Sequence, residues 1–430
     1  MTSALELAQK CFDSRHGQLL IGGVPIGEIT KAYGTPLFIY DRMVLERKYQ
    51  LLRKTFPPEF SISYSMKANP NPAILKFFLS KGCGLEVASS GELRLAMAAG
   101  CPSEKILFAG PGKTEPELET ALRNQIGELH AESLLEIQRI GRISRYLGVQ
   151  ARIAIRVNPS EDAEGGAMRM GGKSAPFGID EDQLEAVLDV ALSEASIDLC
   201  GIHLFSGTQI LNHATLTRQY SKGLEIARRV VERVGHQLET IDFGGGLGIP
   251  YFAGEQELDM DQLRAGIATL MSESRNSACF SGSNFIIEPG RFLVGESGVY
   301  VARVIDIKIS RGKKFVIVDG GMNHHLAASG NLGQTIKRNF PVAIANKLTS
   351  VETETVDVVG PLCTPLDVLA RNAKLPEAEV DDLFVVFQSG AYARTASPLG
   401  FLSHPAPPEV LVEKQQHHLI RQRGDFGAIL

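Results

Sequence analysis

Hydrophobic and polar positions follow two different rhythms along this chain, and the change falls near residue 295. From residue 60 onward, short apolar runs with a period of two recur between longer stretches with a period near 3.6, the marks of strands and amphipathic helices. Strand-like segments fall at 60–69, 84–89, 106–110, 126–133, 152–158, 200–207, 240–245 and 285–291. Amphipathic stretches such as 134–147, 181–192, 216–234 and 260–273 lie between them. Eight strand–helix units in about 230 residues predict an α/β fold with a closed (β/α)8 barrel of the TIM type. An open doubly wound sheet is the main rival, because periodicity cannot count closure. Beyond residue 295, strands at 299–309, 314–319, 351–359, 383–388, 410–413 and 418–423 are joined by polar turns. These predict a C-terminal β-sandwich or β-barrel domain over 295–430. The barrel is assigned to 35–294, including a strand at Pro36–Asp41. Residues 1–34, a helix and a strand–turn signal around Leu19, are expected to pack with the β domain.

The ends of the barrel strands carry the chemistry. In Ser61-Ile62-Ser63-Tyr64-Ser65-Met66-Lys67 an alternating strand runs out onto a lysine before Asn69-Pro70 stops it. An amine there can be desolvated and used to form a Schiff base; the plain reading is a lysine snorkelling off a strand end. Glu86, Arg156, His203, the glycines 244–246 and Glu288 also fall in or near strand ends, where an open sheet would gather them at one switch point. Asp242-Phe243-Gly244-Gly245-Gly246-Leu247-Gly248 can cradle an anion on backbone N–H groups, or be a tight turn. Glu288-Pro289-Gly290-Arg291 sets a carboxylate, a rigid turn and a guanidinium in a row. It suits a heterocyclic nitrogen and a phosphate, or a Glu–Arg ion pair at the rim. Cys363, in a loop after Gly360-Pro361-Leu362, is either a thiol proton donor or a small buried hydrophobe. Tyr392 ends a strand with a hydroxyl for phosphate, or a packed ring.

Composition narrows the classes. Hydrophobic content of 44% with 22% charged residues is that of a globular protein, and a net charge of -5 favours no nucleic-acid or acidic-membrane partner. No apolar run approaches a membrane span, and the first residues hold no secretory core. Six scattered cysteines without a CxxC pair favour free thiols in a reducing cytoplasm and no metal centre. His324-His325 is rejected as a metal site, on the expectation that neighbours on an extended segment face opposite ways.

Taken together and in order, these pieces resemble the fold-type III pyridoxal-phosphate decarboxylases, the group of ornithine, arginine and diaminopimelate decarboxylases. The resemblance runs from about residue 25 to 415 through YSMKAN, LEVASSGEL, FAGPGK, DFGGGLG, EPGR, GPLCTPLD and SGAY. It implies pyridoxal 5'-phosphate as cofactor and a homodimer whose two active sites use residues from both subunits. Lys67 matches the lysine that holds the cofactor as a Schiff base, and Glu288 the carboxylate paired with the pyridine nitrogen. Gly245, Gly246, Gly290 and Arg291 match the phosphate cradle, with Thr208 and Tyr392 as further phosphate contacts. Cys363 of the partner subunit matches the proton donor. Glu86, Arg156 and His203 fall close to the cofactor in that family, and Phe205 takes the place of a histidine stacked on its ring.

The departures bear on substrate. Diaminopimelate decarboxylases follow the cysteine with Glu-Ser-Gly-Asp and ornithine decarboxylases with Asp-Gly-Leu-Asp; here Thr364-Pro365-Leu366-Asp367 follows. The acid that would grip a distal ammonium is missing at the first position, and a buried ammonium without a carboxylate is costly. The details resemble a sub-branch of biosynthetic-cluster decarboxylases, some of which take an amino acid tethered to an acyl carrier protein. A diaminopimelate decarboxylase is the alternative. A racemase of the alanine type is disfavoured by Glu288 and Cys363, and a silent binding protein by the retention of Lys67, the glycine turn, Arg291 and Cys363. The loop 160–176 is the expected specificity element.

Overall fold

The computed structural model describes residues 4–160, 168–169, 174–205, 207–275, 278–351 and 353–425. They form two compact units, one of residues Gln50–Ile249 and Glu257–Gly290, the other of Met1–Tyr49, Pro250–Gln256 and Arg291–Leu430.

The first unit is the barrel. Its eight parallel strands are Phe60–Ser65, Gly84–Val87, Ile106–Phe108, Glu128–Ala131, Ala151–Asn158, Ile197–Leu204, Thr240–Asp242 and Asn284–Ile287. They pair in chain order, Asn284–Ile287 pairs back onto Phe60–Ser65, and the ring is closed. The strands are near-continuous buried runs because helices cover their outer faces. Gly201 follows an irregularity in the pairing of its strand with Ala151–Asn158. A Cβ there would stand 2.0 Å from Thr240 Oγ1, so only glycine lets the two strands approach. The intervening helices begin on local caps: Asn71, Ser89, Ser133 and Asn212 each accept a backbone N–H from the first turn of the helix they precede.

The second unit is built on one long strand, Gly298–Ser310. Its first half pairs with Leu37–Asp41 and with Leu383–Val386, its second half with Lys313–Val318. Glu354–Val359 and Val368–Leu375 extend the sheet past Lys313–Val318, and Glu409–Glu413 and Gln416–Arg421 extend it past Leu37–Asp41. Leu19, Ile21, Ile26, Ile39, Val299, Val385, Phe387 and Val410 share its core.

Two expectations are corrected here. The strand at Leu37–Asp41 belongs to this β unit and not to the barrel, so the division falls at Tyr49/Gln50 rather than at residue 35. Its residues are buried throughout, and periodicity alone does not tell which sheet a buried strand joins. The segment at His324-His325 is a turn, not extended: both backbone N–H groups donate to Gly321 O, at 3.0 and 3.1 Å. Both rings are buried and bonded locally, His325 Nε2 to Ser389 Oγ at 2.9 Å and His324 Nδ1 to Tyr300 Oη at 3.3 Å. All six cysteines are free. Among the described residues no helix is long and apolar enough to cross a membrane.

One buried ion cluster ties the N-terminal segment into this unit. Glu296, with a side chain only 1% exposed, accepts from Lys10 Nζ at 2.8 Å and from Lys48 Nζ at 2.5 Å. Burial alone would raise this carboxyl, but the ammoniums of Lys48 and Lys10 outweigh it and hold it at about 2, against an ordinary 4.5. The depressed value contributes stability that is complete above the unfolded-state value and is lost as pH falls from about 4.5 towards about 2. Glu296→Gln should therefore cost up to about 3 kcal/mol at pH 7 in urea denaturation, and the difference from wild type should shrink at pH 3. An equal difference at both pH values would show that the ion cluster does not act this way.

Candidate active site

Lys67 stands on the short 3-10 turn Met66–Ala68, just past the strand Phe60–Ser65 and not on it. Its Nζ donates to both oxygens of Glu86, at 3.0 and 3.1 Å, and Ser65 Oγ donates to the same carboxylate at 2.5 Å. Glu86 is buried, while the Lys67 side chain is 43% exposed, so the amine is anchored at its base and open at the rim. The Phe205 ring lies 5.9 Å from Lys67 Nζ and 5.9 Å from Arg156 Cζ. Arg156 also lies 5.3 Å from the Phe177 ring and donates to Glu132 at 2.8 Å. Glu132 in turn accepts the backbone N–H of Gly110 at 2.6 Å and of Gly178 at 3.1 Å. Burial would raise the Glu132 carboxyl, yet Arg156 and Lys113 hold it below the usual range. Lys67, Glu86, Phe205 and Arg156 thus form one connected group.

A second group lies inside the barrel. Glu288 follows the strand Asn284–Ile287 and is buried with His203, His130, Asp242 and Glu128. Glu288 Oε2 lies 3.3 Å from His203 Nε2. The His130 and His203 rings stack with centroids 4.2 Å apart and 25° between planes. Asp242 Oδ1 accepts the Gly244 N–H at 2.7 Å, which starts the glycine turn. Burial and the neighbouring Glu288 push the Asp242 carboxyl well up, and burial together with His130 pushes His203 well down. The turn itself has no room for side chains. A Cβ on Gly245 would meet Glu288 O at 2.5 Å, and one on Gly290 would meet Ala68 Cβ at 3.0 Å. Thr208 is half-buried on a two-residue strand, Gly207–Thr208, that pairs with Met168–Arg169. The rest of the expected specificity loop, 161–167 and 170–173, lies outside the described residues.

Arg291, Tyr392 and Cys363 belong to the β unit. Arg291 Nη1 donates to Tyr251 Oη at 3.0 Å, and its Cζ lies 4.7 Å from the Tyr392 ring. Tyr392 adopts a φ of 54°, the left-handed region that costs a non-glycine residue strain. Its turn is packed hard: a Cβ on Gly390 would fall 1.7 Å from Val294 O. Cys363 is exposed, which removes the reading of a small buried hydrophobe. The loop that carries it, between Glu354–Val359 and Val368–Leu375, folds over Asp367. That buried carboxylate accepts the backbone N–H of Met322 at 2.6 Å and of Leu362 at 2.9 Å.

Glu128, His130, Glu132 and Phe177 are not singled out from sequence, and Asp242 enters there only as the first residue of the glycine turn. Glu128, His130 and Glu132 alternate with Leu129 and Ala131, so three polar side chains share one face of a strand. Polar residues at that spacing in a barrel strand are the signal that could have found them.

Residues 42–295 match the family model described as the pyridoxal binding domain of pyridoxal-dependent decarboxylases. The chain belongs to that family, and its cofactor is pyridoxal 5'-phosphate. Over 408 residues it is 39% identical to the L-glutamyl-[BtrI acyl-carrier protein] decarboxylase of Niallia circulans, a match covering 94% of this chain and 95% of that one. It is 34% identical to the diaminopimelate decarboxylase of Archaeoglobus fulgidus, with 97% of each chain covered. The solved diaminopimelate decarboxylase of M. jannaschii superposes with a TM-score of 0.89 at 28% identity, over 98% of this chain and 97% of that one. The protein is a PLP-dependent carboxy-lyase of amino acids. The residues present fit the cofactor: Glu288 Oε1 is a buried acceptor with no partner among the described residues, and a Cβ would fill the glycine turn.

Proposed function

We propose that this enzyme decarboxylates an L-glutamyl group, or a similar L-amino acid without a free distal ammonium, carried on an acyl carrier protein. The observation behind this reading is Asp367. It is the one acid of the Cys363 loop, and it is turned inward with its two oxygens bound to the N–H groups of Met322 and Leu362. Burial pushes this carboxyl up, so it is a poor partner for a substrate ammonium. Thr364, where basic-substrate relatives place an acid, offers a hydroxyl that accepts from Leu366 N at 3.3 Å. The full-length likeness to a glutamyl-carrier decarboxylase supports the same substrate.

When bound, the cofactor draws electrons from the substrate α-carbon, so that CO2 can leave. Lys67 is the residue that would hold it covalently, with Glu86 taking up the amine's charge in its absence. Glu288 would keep a proton on the ring nitrogen. Thr208 and the glycines 245, 246 and 290 would hold the phosphate, Arg291 and Tyr392 are the further phosphate contacts that the resemblance implies, and Phe205 and Arg156, beside Lys67, would line the ring. In a homodimer, Cys363 of a second copy would return a proton to the α-carbon. Its exposure is what such a role requires.

The test is CO2 release by the PLP-loaded protein. L-glutamate on a carrier protein should react at least about tenfold faster than free glutamate, lysine, ornithine, arginine or meso-diaminopimelate. Fast release from free diaminopimelate would overturn the carrier reading in favour of a lysine-pathway enzyme. Cys363→Ala should keep the bound cofactor's absorbance and lower turnover by roughly a hundredfold. An unchanged rate and product would remove Cys363 from the mechanism.

A further inference from the structure

Three carboxylates and two imidazoles occupy the barrel interior with almost no hydrogen bonds among them. Glu128 Oε2, both ring nitrogens of His130 and of His203, Asp242 Oδ2 and Glu288 Oε1 are buried without a partner among the described residues. Yet they are close. His130 Nε2 lies 3.8 Å from Glu128 Oε2 and 3.9 Å from Asp242 Oδ2, and His130 Nδ1 lies 3.9 Å from Glu288 Oε1. Of the cations at the neighbouring strand ends, Lys67 is paired with Glu86 and Arg156 with Glu132. Three ionised carboxylates packed here without a cation would be expensive, so the cluster has to hold protons.

Two constraints say where one of those protons sits. A neutral imidazole has one donor nitrogen and one acceptor, and an ionised carboxylate only accepts. His203 Nε2 faces Glu288 Oε2 at 3.3 Å, and opposite an ionised Glu288 that nitrogen would carry the N–H. The pair is close enough for a hydrogen bond but is not aligned for one, and such contacts often align only when a ligand is bound. The His130 ring, stacked 4.2 Å away, blocks His203 from tilting and is itself too far from Oε1 to occupy it.

We infer that His203 is a positioning residue for Glu288: it donates Nε2–H to Oε2 and so leaves Oε1 as the single acceptor for the N–H of the cofactor ring. This rests on the reading that Glu288 faces the ring nitrogen. Burial and the neighbouring Glu288 push the Asp242 carboxyl well up, towards its neutral form. The titratable groups that face Glu288 are His203, His130 and Asp242; those that act on His203 are His130 and Glu132 on and just past Glu128–Ala131, Arg156 on Ala151–Asn158 and Glu86 on Gly84–Val87, and Glu128 acts on Asp242.

The experiment uses holoenzyme reconstituted with PLP labelled with 15N in the ring. Its nitrogen shift is followed by NMR from about pH 6 to 9, alongside kcat and KM. In wild type the ring nitrogen should stay protonated throughout. In His203→Phe its pKa should drop by about one unit or more, and kcat should fall roughly tenfold with KM little changed. His203→Gln, which keeps an N–H donor, should restore most of both effects. Wild-type titration in His203→Phe, with Glu288→Ala shifted, would overturn the role of His203 alone. An unshifted Glu288→Ala would overturn the placement of Glu288 as well. If His203→Phe does not fold, His203→Gln still decides, because a deprotonated ring nitrogen there contradicts the inference. One outcome replaces the proton with a metal. Ligand atoms of His130, His203, Asp242 and Glu288 all lie within 4.8 Å of one another, so one equivalent of a divalent cation in the purified protein, lost in His203→Gln, would also overturn it.

Discussion

A carboxylate at the end of the last barrel strand stands in a buried place that resists charge. Glu288 is buried, has His203 at 3.3 Å from one oxygen and no hydrogen-bond partner among the described residues on the other, and sits with two further acids in the same interior. A barrel interior is normally filled by branched apolar side chains. Here the upper layer is filled by His130, His203, Asp242 and Glu288, and that exchange costs stability unless a bound group completes the hydrogen bonds. The cofactor of this family supplies a ring nitrogen that a carboxylate can keep protonated. The polar layer therefore reads as a socket whose unmet bonds are the binding energy held in reserve.

The same logic, inverted, governs the loop that carries Cys363. Its acid is not left open. Asp367 is spent on the backbone of Leu362 and Met322, and a Cβ on Gly321 or Gly360 would stand 2.3 Å from one of its oxygens. The loop is thereby shaped by an inward carboxylate, and what it presents outward is a thiol and a hydroxyl. A site that must discriminate against a distal ammonium does so most cheaply by offering it no counter-charge, because an unpaired buried cation is strongly disfavoured.

Much of this was legible in the sequence, and the limits have physical causes. Each of the eight expected segments overlaps its observed strand, because a strand covered by helices is a short apolar run bounded by polar residues, although the segment at 200–207 starts three residues late on Ile197–Leu204. Several C-terminal ends run past the observed strand, since buried apolar residues such as Met66 and Ala68 continue after it while the chain turns into a 3-10 helix. Leu37–Asp41 was given to the wrong unit because pairing partners are non-local: its neighbours are Gly298–Ser310 and Glu409–Glu413, hundreds of residues away. Val368–Leu375 was missed because Arg371, Asn372 and Lys374 break its apolar pattern. Among site residues, Lys67 and Glu288 announce themselves by ending strands. Asp242 is conspicuous only once the structure shows that it points at the same volume as His130.

The most direct test of the account is to find where the cofactor is attached. PLP-loaded protein would be reduced with borohydride and digested, and the pyridoxyl group located by mass spectrometry. The account places it on Lys67, the amine held by Glu86 at the end of the first barrel strand. Label on any other lysine, or stoichiometric binding with no covalent label at all, would contradict it.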